Sequence, residues 1–465
     1  MIQTGHPDTG EVVLAQEVID TKMTQSRTRR IMLLLAGSIA LMMTGFGIIL
    51  PVFARRLGEF GSGVEMLGLM TMAFALSQFL MAPFMGSLAD RFGRKPGILL
   101  ALFSFAVINL GFLAAGNAVT FVVLRAAEGA LTAGLFPAAM GIVADVSPEK
   151  QRARWAGLLM GGYGAGFVFG PVLGGFLYDT WGFAMPFVIS AIMAALALLA
   201  AFIVVPETRG EEVRKREVLL DRRESESAPT NRKTWWESFP RPLYVFGTLL
   251  LIDFSLVFSF AFVEPEMIFY FYDELNWSTV EFGIVIGFYG GAFVLGQLLF
   301  GSLSDRFARK PVILLGQLLN AMFYIGLVFI ESVYLISIVA LISGLGEALV
   351  TPALSAFYVD ITDKPYRSRI LGVKESAAAL GGVLGPLLVA GIAAYTSTRA
   401  VFSISVVVVM FTILMTVLAL RPARKSSKEI DEMDWEVARR RAAAAQASFT
   451  AIFVNASTTR ERRRI

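Results

Sequence analysis

Acidic side chains occur inside several long apolar segments of the sequence, where an ionisable group is costly. Asp253 lies well inside one segment and Glu347 lies near the centre of another, and neither has a basic residue close to it along its own segment. Apolar surroundings favour the neutral form of a carboxyl group, which can then take up a proton on one side and release it on the other. Both residues are therefore candidates for proton coupling, with a purely structural role as the alternative for each.

Two further pairs of ionisable residues lie inside apolar segments. Arg125 and Glu128 are three residues apart, so they share one face of a helix and are expected to meet. This pair either takes part in proton coupling or only neutralises its own charge, and the sequence leaves both interpretations open. Lys374 and Glu375 lie near the start of their segment and are expected at a cytoplasmic mouth rather than at a central site.

The segment that contains Asp253 also carries aromatic residues and two later acids. Phe254 follows Asp253 directly, Phe258 comes four residues later, and Glu264 and Glu266 come toward the far end. Aromatic faces beside carboxylates suit lipophilic cations, through stacking and cation–π contacts. These four residues are predicted to line a substrate cavity, although phenylalanines that face lipid would give the same pattern.

The apolar segments are long enough to span a membrane. Of the 465 residues, 55% are hydrophobic and 17% are charged, whereas about a quarter are charged in an ordinary soluble domain. Runs of about twenty residues cross the bilayer hydrocarbon, and continuous runs without period-two alternation indicate helices. The sequence predicts an all-α integral membrane protein with twelve transmembrane helices. The runs are about 31–54, 64–88, 97–116, 119–144, 155–178, 183–205, 243–272, 279–303, 312–331, 333–359, 370–394 and 400–420.

The chain contains two copies of one six-helix unit. GSLADRFGRKP at 86–96 recurs as GSLSDRFARKP at 301–311, with nine of eleven positions identical and an offset of 215. The same offset relates Asp145 to Asp360. Because six is even, both copies begin on the same side, which predicts parallel repeats about an axis along the membrane normal.

Charge divides the chain into domains and predicts its orientation. Lys and Arg concentrate in the connections on the side that carries both tails, and the positive-inside rule places that side in the cytoplasm. We therefore expect a multi-pass protein of the plasma (inner) membrane with both termini cytoplasmic. The expected order is an N-terminal tail (1–30), a six-helix bundle (31–205), a charged cytoplasmic linker (206–241), a second six-helix bundle (242–420) and a C-terminal tail (421–465).

Several chemistries are excluded by residues that the sequence lacks. It has no cysteine, and its one histidine, His6, lies in the N-terminal tail, which excludes disulfides, thiolate catalysis and a histidine proton relay in the membrane. The absence of G-x-x-x-x-G-K-[ST], H-E-x-x-H and G-x-S-x-G motifs argues against an ATP motor and a membrane-embedded enzyme. The net charge of +4 comes from basic residues at helix ends, so it reflects topology and not nucleic-acid binding.

The repeated motif has a physical interpretation of its own. Gly86 permits close approach of two helices, and Asp90 lies where it can cap the N-terminus of a neighbouring helix. The basic residues that follow can pair with acids at adjacent helix ends, and Asp145 is the obvious candidate.

The doubled motif also resembles a family signature. Two six-helix halves with G-x-x-x-D-R-x-G-R-K between helices 2 and 3 are similar to the major facilitator superfamily of secondary transporters, over residues 31–420. The second copy departs from the signature at Ala308, which replaces a glycine. The resemblance implies that each motif acts as a latch that holds the cytoplasmic side shut in one state. The predicted gate residues are Gly86, Asp90, Arg91, Arg94, Lys95, Asp145, Asp305, Arg306 and Arg309.

The fifth apolar run carries a second signature. Four of its glycines recur every four residues and form a smooth stripe for close helix packing, and three glycines of the eighth run offer a matching face. The stripe is Gly162, Gly166, Gly170 and Gly174, and the matching face is Gly283, Gly287 and Gly291. The run also resembles the family's antiporter signature, although glycines that serve packing alone would fit as well. Its fixed positions are Gly157, Gly166, Gly170, Pro171, Gly174 and Gly175.

The resemblance implies a proton-coupled secondary antiporter of the drug/proton branch, which exports amphipathic small molecules by alternating access. Acids on helices 7 and 10 resemble the coupling acids of that branch, so Asp253 and Glu347 are expected to couple proton movement to export, together with Glu128 and Arg125. The expected partners are a small lipophilic substrate, protons and the lipid bilayer, for a monomer without cofactors. A lipid or metabolite carrier on the same fold is the alternative.

Overall fold

The computed structural model describes residues 25–147, 149–208, 239–300, 308–363 and 366–420, and these residues contain helices and no strand. Twelve of the helices are long and apolar enough to cross a membrane, which confirms the predicted number and order of spans. We number them α1 to α12 in chain order. Their bounds are Gln25–Glu59, Val64–Phe92, Arg94–Ala114, Ala118–Val146, Glu149–Trp181, Ala184–Val204, Leu243–Phe269, Thr279–Phe300, Arg309–Phe329, Val333–Ile361, Arg367–Ile392 and Thr398–Ala419.

The fourth helix is broken into two segments, Ala118–Thr132 and Leu135–Val146. Pro137 explains the break, because a proline ring clashes with the carbonyl group four residues earlier, here that of Ala133, and removes one helical hydrogen bond. The predicted ionisable pair of α4 lies on the first segment, just before this break.

The 215-residue repeat is reproduced in side-chain contacts. Nε of Arg94 lies 2.8 Å from Oδ2 of Asp145, and Nε of Arg309 lies 3.0 Å from Oδ2 of Asp360. Each pair joins the start of the third helix of a half to the end of its fourth helix. The structure thus pairs Arg94 with the acid that the sequence suggested.

The neighbouring lysines repeat a second contact. Nζ of Lys95 donates a hydrogen bond to the backbone oxygen of Phe202 at 2.7 Å, and Nζ of Lys310 donates to that of Val417 at the same distance. Each lysine therefore binds the end of the sixth helix of its own half. Each of these hydrogen bonds and ion pairs joins helices of the same half. The contacts therefore hold together one end of each six-helix bundle.

The glycine stripe of α5 packs against α1. A Cβ added at Gly170 would lie 2.6 Å from Cα of Gly47, so the two backbones are in direct contact. The α8 glycines pack on the adjacent face of α5, where Gly283 meets the backbone of Pro171. The prediction that they match the stripe is therefore wrong. Residues four apart stay on one helical face, whereas successive residues such as Gly170 and Pro171 point about 100° apart.

In the second half, α11 packs on α7 in the same way. Gly381 and Gly385 are the repeat mates of two stripe glycines. Added Cβ atoms would lie 2.9 Å from the backbone nitrogen of Phe258 and 2.8 Å from that of Phe262, respectively. Close glycine contact therefore joins the first helix of each half to its fifth helix.

The two halves meet along α5 with α8 and along α2 with α11. Because the helices alternate in direction, the starts of α1 and α7 and the ends of α6 and α12 share one end of the bundle, which we call the terminal face. Near the opposite face, Nη2 of Arg55 donates to the backbone oxygen of Trp277 at 2.7 Å, and the Tyr272 hydroxyl donates to that of Pro51 at 2.9 Å. Arg55 also lies 3.9 Å from the centroid of the Tyr272 ring. These contacts join the two halves near the opposite face.

Candidate functional site

The carboxyl group of Glu347 lies at the middle of α10 and contacts α8. The Tyr289 hydroxyl donates a hydrogen bond to Oε2 of Glu347. The Tyr289 ring stacks against Phe260 of α7, with the ring centroids 5.9 Å apart. No lysine or arginine among the described residues acts electrostatically on Glu347. Glu347 is thus a partly buried acid with a hydroxyl partner and no described counter-ion.

Asp253 of α7 is buried and contacts two other helices. Its Oδ2 accepts a hydrogen bond from the Tyr358 hydroxyl of α10 at 2.7 Å, and its Oδ1 lies 3.6 Å from Nζ of Lys374 on α11. As predicted, Asp253 has no basic neighbour on α7, but in the folded chain Lys374 of another helix lies next to it. Lys374 is itself buried, because it lies two helical turns before Gly381, on the face of α11 that packs on α7, whereas its neighbour Glu375 is exposed.

In the first half, Arg125 and Glu128 meet as their spacing predicts. Nη1 of Arg125 lies 2.7 Å from Oε2 of Glu128, and the two residues are 4% and 1% exposed. The rings of Phe46 and Phe74 cover the guanidinium group, with centroids 4.7 and 4.2 Å away. Nε of Arg125 and Oε1 of Glu128 have no hydrogen-bond partner among the described residues. The pair thus neutralises its charge and keeps one donor and one acceptor atom unused.

The two later acids of α7 have different surroundings. Glu264 is partly buried and lies within electrostatic range of Arg125 of the first half. Glu266 lies nearer the opposite face, where its Oε1 accepts a hydrogen bond from the Thr398 hydroxyl at 2.7 Å. Residues two apart point about 200° apart on a helix, so the two acids, which were expected together in one cavity, face different neighbours.

An aromatic cavity adjoins the Arg125–Glu128 pair. Its volume is about 230 Å³, and it lies among α1 to α5. Phe46 and Phe74, which cover Arg125, also line the cavity, as do the polar side chains of Gln78 and Thr132. The other aromatic and sulfur-containing lining residues are Met42, Met43, Phe105, Phe136, Tyr163 and Phe167. The sequence analysis missed this cavity, and the only signal for it was the recurrence of aromatic residues in the first five runs of the first half.

The phenylalanines that were predicted to line a cavity take part in helix packing. Phe254, Phe258 and Phe262 stack along one face of α7, with successive ring centroids 5.2 and 5.5 Å apart. Phe258 is buried against Gly381 of α11. Residues four apart share a helical face, so the spacing that looked like a binding surface is the spacing of the α7–α11 interface.

The structure describes the side chains of only some of the predicted gate residues. Asp305 and Arg306 fall outside the described residues, as does the side chain of Asp90. Gly86 of α2 faces Pro137 of α4, whose Cβ lies 4.0 Å from the position of an added Cβ. Arg91 is exposed at the end of α2.

The residues of the antiporter signature serve two helix interfaces. Gly166, Gly170 and Gly174 contact the backbone of α1, and Gly175 meets Thr279 at the start of α8. An added Cβ at Gly157, at the other end of the signature, would meet no atom within 4 Å. The signature therefore combines close-packed positions with one open position.

Sequence comparison identifies the family to which these features belong. The family described as "Major Facilitator Superfamily" matches residues 34–271 and 249–459, which include both six-helix halves. Transport of solutes, and not covalent chemistry, is the activity of this family.

Three curated relatives are similar over most of their length. The quinolone resistance protein NorA of Staphylococcus aureus is 26% identical, covering 76% of this chain and 87% of the relative. The multidrug resistance protein MdtG of Klebsiella pneumoniae is 28% identical, with coverage of 82% and 90%. The class H tetracycline resistance protein of Pasteurella multocida is 29% identical, with coverage of 76% and 86%. The chain is thus similar to the drug-efflux branch of the family.

Solved structures share the fold. An inward-facing, occupied crystal structure of a bacterial homologue of the human lysosomal transporter Spinster has a TM-score of 0.69 at 18% identity, covering 87% of this chain and 100% of that one. The human organic anion transporter MFSD10 (TETRAN) has a TM-score of 0.60 at 20% identity, with coverage of 84% and 99%. The chain therefore belongs to the major facilitator superfamily, and it is a membrane transporter and not an enzyme.

Proposed function

We propose that the protein is a proton-coupled antiporter that exports amphipathic small molecules by alternating access, as a monomer without a cofactor. The Glu347–Tyr289 pair carries this proposal, because it provides a partly buried carboxyl group with a hydroxyl partner and no described counter-ion. The free-energy cost of burying such a carboxyl group is small when it is protonated and large when it is charged. Protonation therefore favours the conformation in which the group is buried. The names of the resistance proteins to which the chain is similar support export.

The other ionisable residues have complementary roles in this proposal. Asp253 is a second coupling acid, and the Arg125–Glu128 pair links the charge state of the first half to substrate binding. The aromatic cavity beside that pair receives the apolar body of the substrate. Glu264, within electrostatic range of Arg125, faces the same region from the second half.

The gate and signature residues allow the halves to move as units. The Arg94–Asp145 and Arg309–Asp360 pairs each hold the terminal end of one half together. In this proposal the motif residues of both halves stabilise the terminal face when it is closed. The glycines of α5 hold α1 in close backbone contact within the first half, and Gly175 permits close contact with α8 of the second half, along which the two halves can move.

A lipid or metabolite carrier on the same fold is the second candidate. An apolar groove of about 980 Å³ runs between α5, α8 and α10 and favours it. Phe169 and Leu299 line this groove and are mostly exposed, so the groove is open toward the hydrocarbon. A lipid acyl chain fits such a surface by its chemistry.

Transport in vesicles tests the proposed function. In proteoliposomes with an imposed pH gradient, lipophilic cations such as tetraphenylphosphonium are expected to accumulate against their own gradient. Their addition should also dissipate the pH gradient, because protons leave as substrate enters. Protein-free liposomes provide the control. Movement of a fluorescent phospholipid without any proton flux would support the lipid carrier, and no proton movement with any probe would contradict proton coupling.

The proposed orientation places both tails and the 206–241 linker in the cytoplasm, with the protein in the plasma (inner) membrane. The chain has no cysteine, so single cysteines can be introduced without background labelling. Ser227→Cys in the linker is expected to react with an impermeant maleimide only after the cells are opened. Ser397→Cys, at the start of α12 on the opposite face, is expected to react in intact cells. Labelling of both positions in intact cells would contradict this orientation.

A further inference from the structure

Lys374 is a buried cation that lies between two carboxylates. Its Nζ is 3.6 Å from Oδ1 of Asp253 and 2.9 Å from Oε1 of Glu375. The two acids have different surroundings, since the side chain of Asp253 is 8% exposed and that of Glu375 is 73% exposed. The ammonium group is therefore shared between a buried site and an exposed one.

Helix geometry shows which way Glu375 faces. Pro386 follows it by eleven residues, about three turns of an α-helix, so both residues lie on one face of α11. At Pro386 this face is covered by Gly68 of α2. The side chain of Glu375, closer to the terminal face, is 73% exposed. Glu375 therefore faces the space between the two halves.

The groups around Asp253 leave one of its oxygens for a cation. Tyr358 of α10 donates its hydroxyl to Oδ2, and the charged groups that act on Asp253 are Lys374 and Glu375 of α11. On α12, Thr412 faces this part of α7 and is hydrogen-bonded to Ser255, and it is not titratable. Oδ1 of Asp253 is thus the atom that Lys374 approaches and that another cation could take.

We propose that Lys374 is an exchangeable internal counter-ion, which releases Asp253 to a lipophilic organic cation by moving fully onto Glu375. This inference rests on the proposed function and assigns the site at which the charge of a monovalent quaternary ammonium or phosphonium substrate binds, namely Asp253. Removing the ammonium group without replacement would leave an unpaired buried charge. When the substrate replaces it and Glu375 receives it, every charge stays paired. The shorter contact to Glu375 fits an ammonium group that already lies toward the exposed acid.

The exchange predicts opposite effects of two neutral substitutions. Lys374→Gln removes the competing cation and is expected to tighten binding of tetraphenylphosphonium about tenfold. Glu375→Gln removes the alternative partner, holds Lys374 on Asp253 and is expected to weaken binding by a similar factor. Lys374→Arg keeps a cation in place and should bind close to wild type. Binding is measured by equilibrium dialysis of the full chain in nanodiscs at pH 8, where protons compete little.

Matched controls separate exchange from general destabilisation. A neutral amphiphile should bind all of these variants alike, and Asp253→Asn combined with Lys374→Gln should lose the tenfold gain. Changes in the same direction for Lys374→Gln and Glu375→Gln, or no change in either, would overturn the proposal. If Lys374→Gln does not fold, Glu375→Gln at its exposed position still decides, because unchanged cation binding there contradicts the exchange.

This binding experiment needs no pH gradient, so a negative result in it can be distinguished from a result that contradicts the proposed function. Unchanged binding with intact proton-driven transport would refute the counter-ion role of Lys374 alone. Opposite shifts in binding without any proton movement in vesicles would refute proton coupling alone.

Discussion

Proteoliposomes that contain the Glu347→Gln variant are expected to accumulate no more substrate under a pH gradient than protein-free liposomes do. Glutamine keeps the size of the side chain and an acceptor for the Tyr289 hydroxyl, but it cannot exchange a proton. Equilibrium binding of the same substrate is expected to persist, because the variant leaves both Asp253 and the aromatic cavity of the first half unchanged. Uptake and binding are measured on one preparation, so a loss of coupling is distinguished from a loss of folded protein.

Two substitutions serve as controls for this result. Glu331→Gln removes an acid of an ion pair whose side chains are 61% and 70% exposed, and it should transport like wild type because exposed pairs contribute little. Tyr289→Phe removes only the hydrogen bond and should slow transport without abolishing coupling. Full uphill accumulation by Glu347→Gln would remove the coupling role from Glu347 and favour Asp253 or Glu128 for it.

The features of the fold that could be predicted are those that depend on the order of residues along the chain, namely the apolar spans and the repeat. Hydropathy gave twelve spans in the correct order, since each helix must satisfy its own backbone hydrogen bonds in the hydrocarbon. The offset of 215 residues gave the two halves, and it reappears as the Arg94–Asp145 and Arg309–Asp360 pairs. Few charged residues lie at the helix ends, and each can pair only with a charge on a neighbouring helix. The two arginine–aspartate pairs could therefore be predicted from the repeat.

The contacts that could not be predicted depend on how each helix is rotated about its axis. In a soluble protein an apolar stripe marks the buried face, but a membrane helix is apolar on all sides and carries no such mark. The sequence therefore did not show that Lys374 faces Asp253 on another helix. For the same reason, the glycine stripe of α5 was assigned to α8 and not to α1, and the α7 phenylalanines were assigned to a cavity.

Gly170→Ala is expected to lower the thermal unfolding temperature of the purified protein and to reduce the amount inserted in membranes. The added Cβ would lie 2.6 Å from Cα of Gly47 and 2.8 Å from the backbone oxygen of Thr44, so α1 and α5 must separate. Overpacking of this kind costs about 1–3 kcal/mol. Its repeat mate, Gly385→Ala, is expected to be similarly destabilised, because its Cβ would lie 2.8 Å from the backbone nitrogen of Phe262.

Gly157→Ala is the matched control, since it lies on the same helix and its Cβ would meet no atom within 4 Å. Alanine favours a helix over glycine by about 1 kcal/mol, so this variant should unfold at the same or a slightly higher temperature. If the unfolding temperature falls for Gly170→Ala but not for Gly157→Ala, the role of Gly170 is its backbone contact with α1. Equal unfolding temperatures for both variants would contradict this, because helix propensity would then account for both glycines.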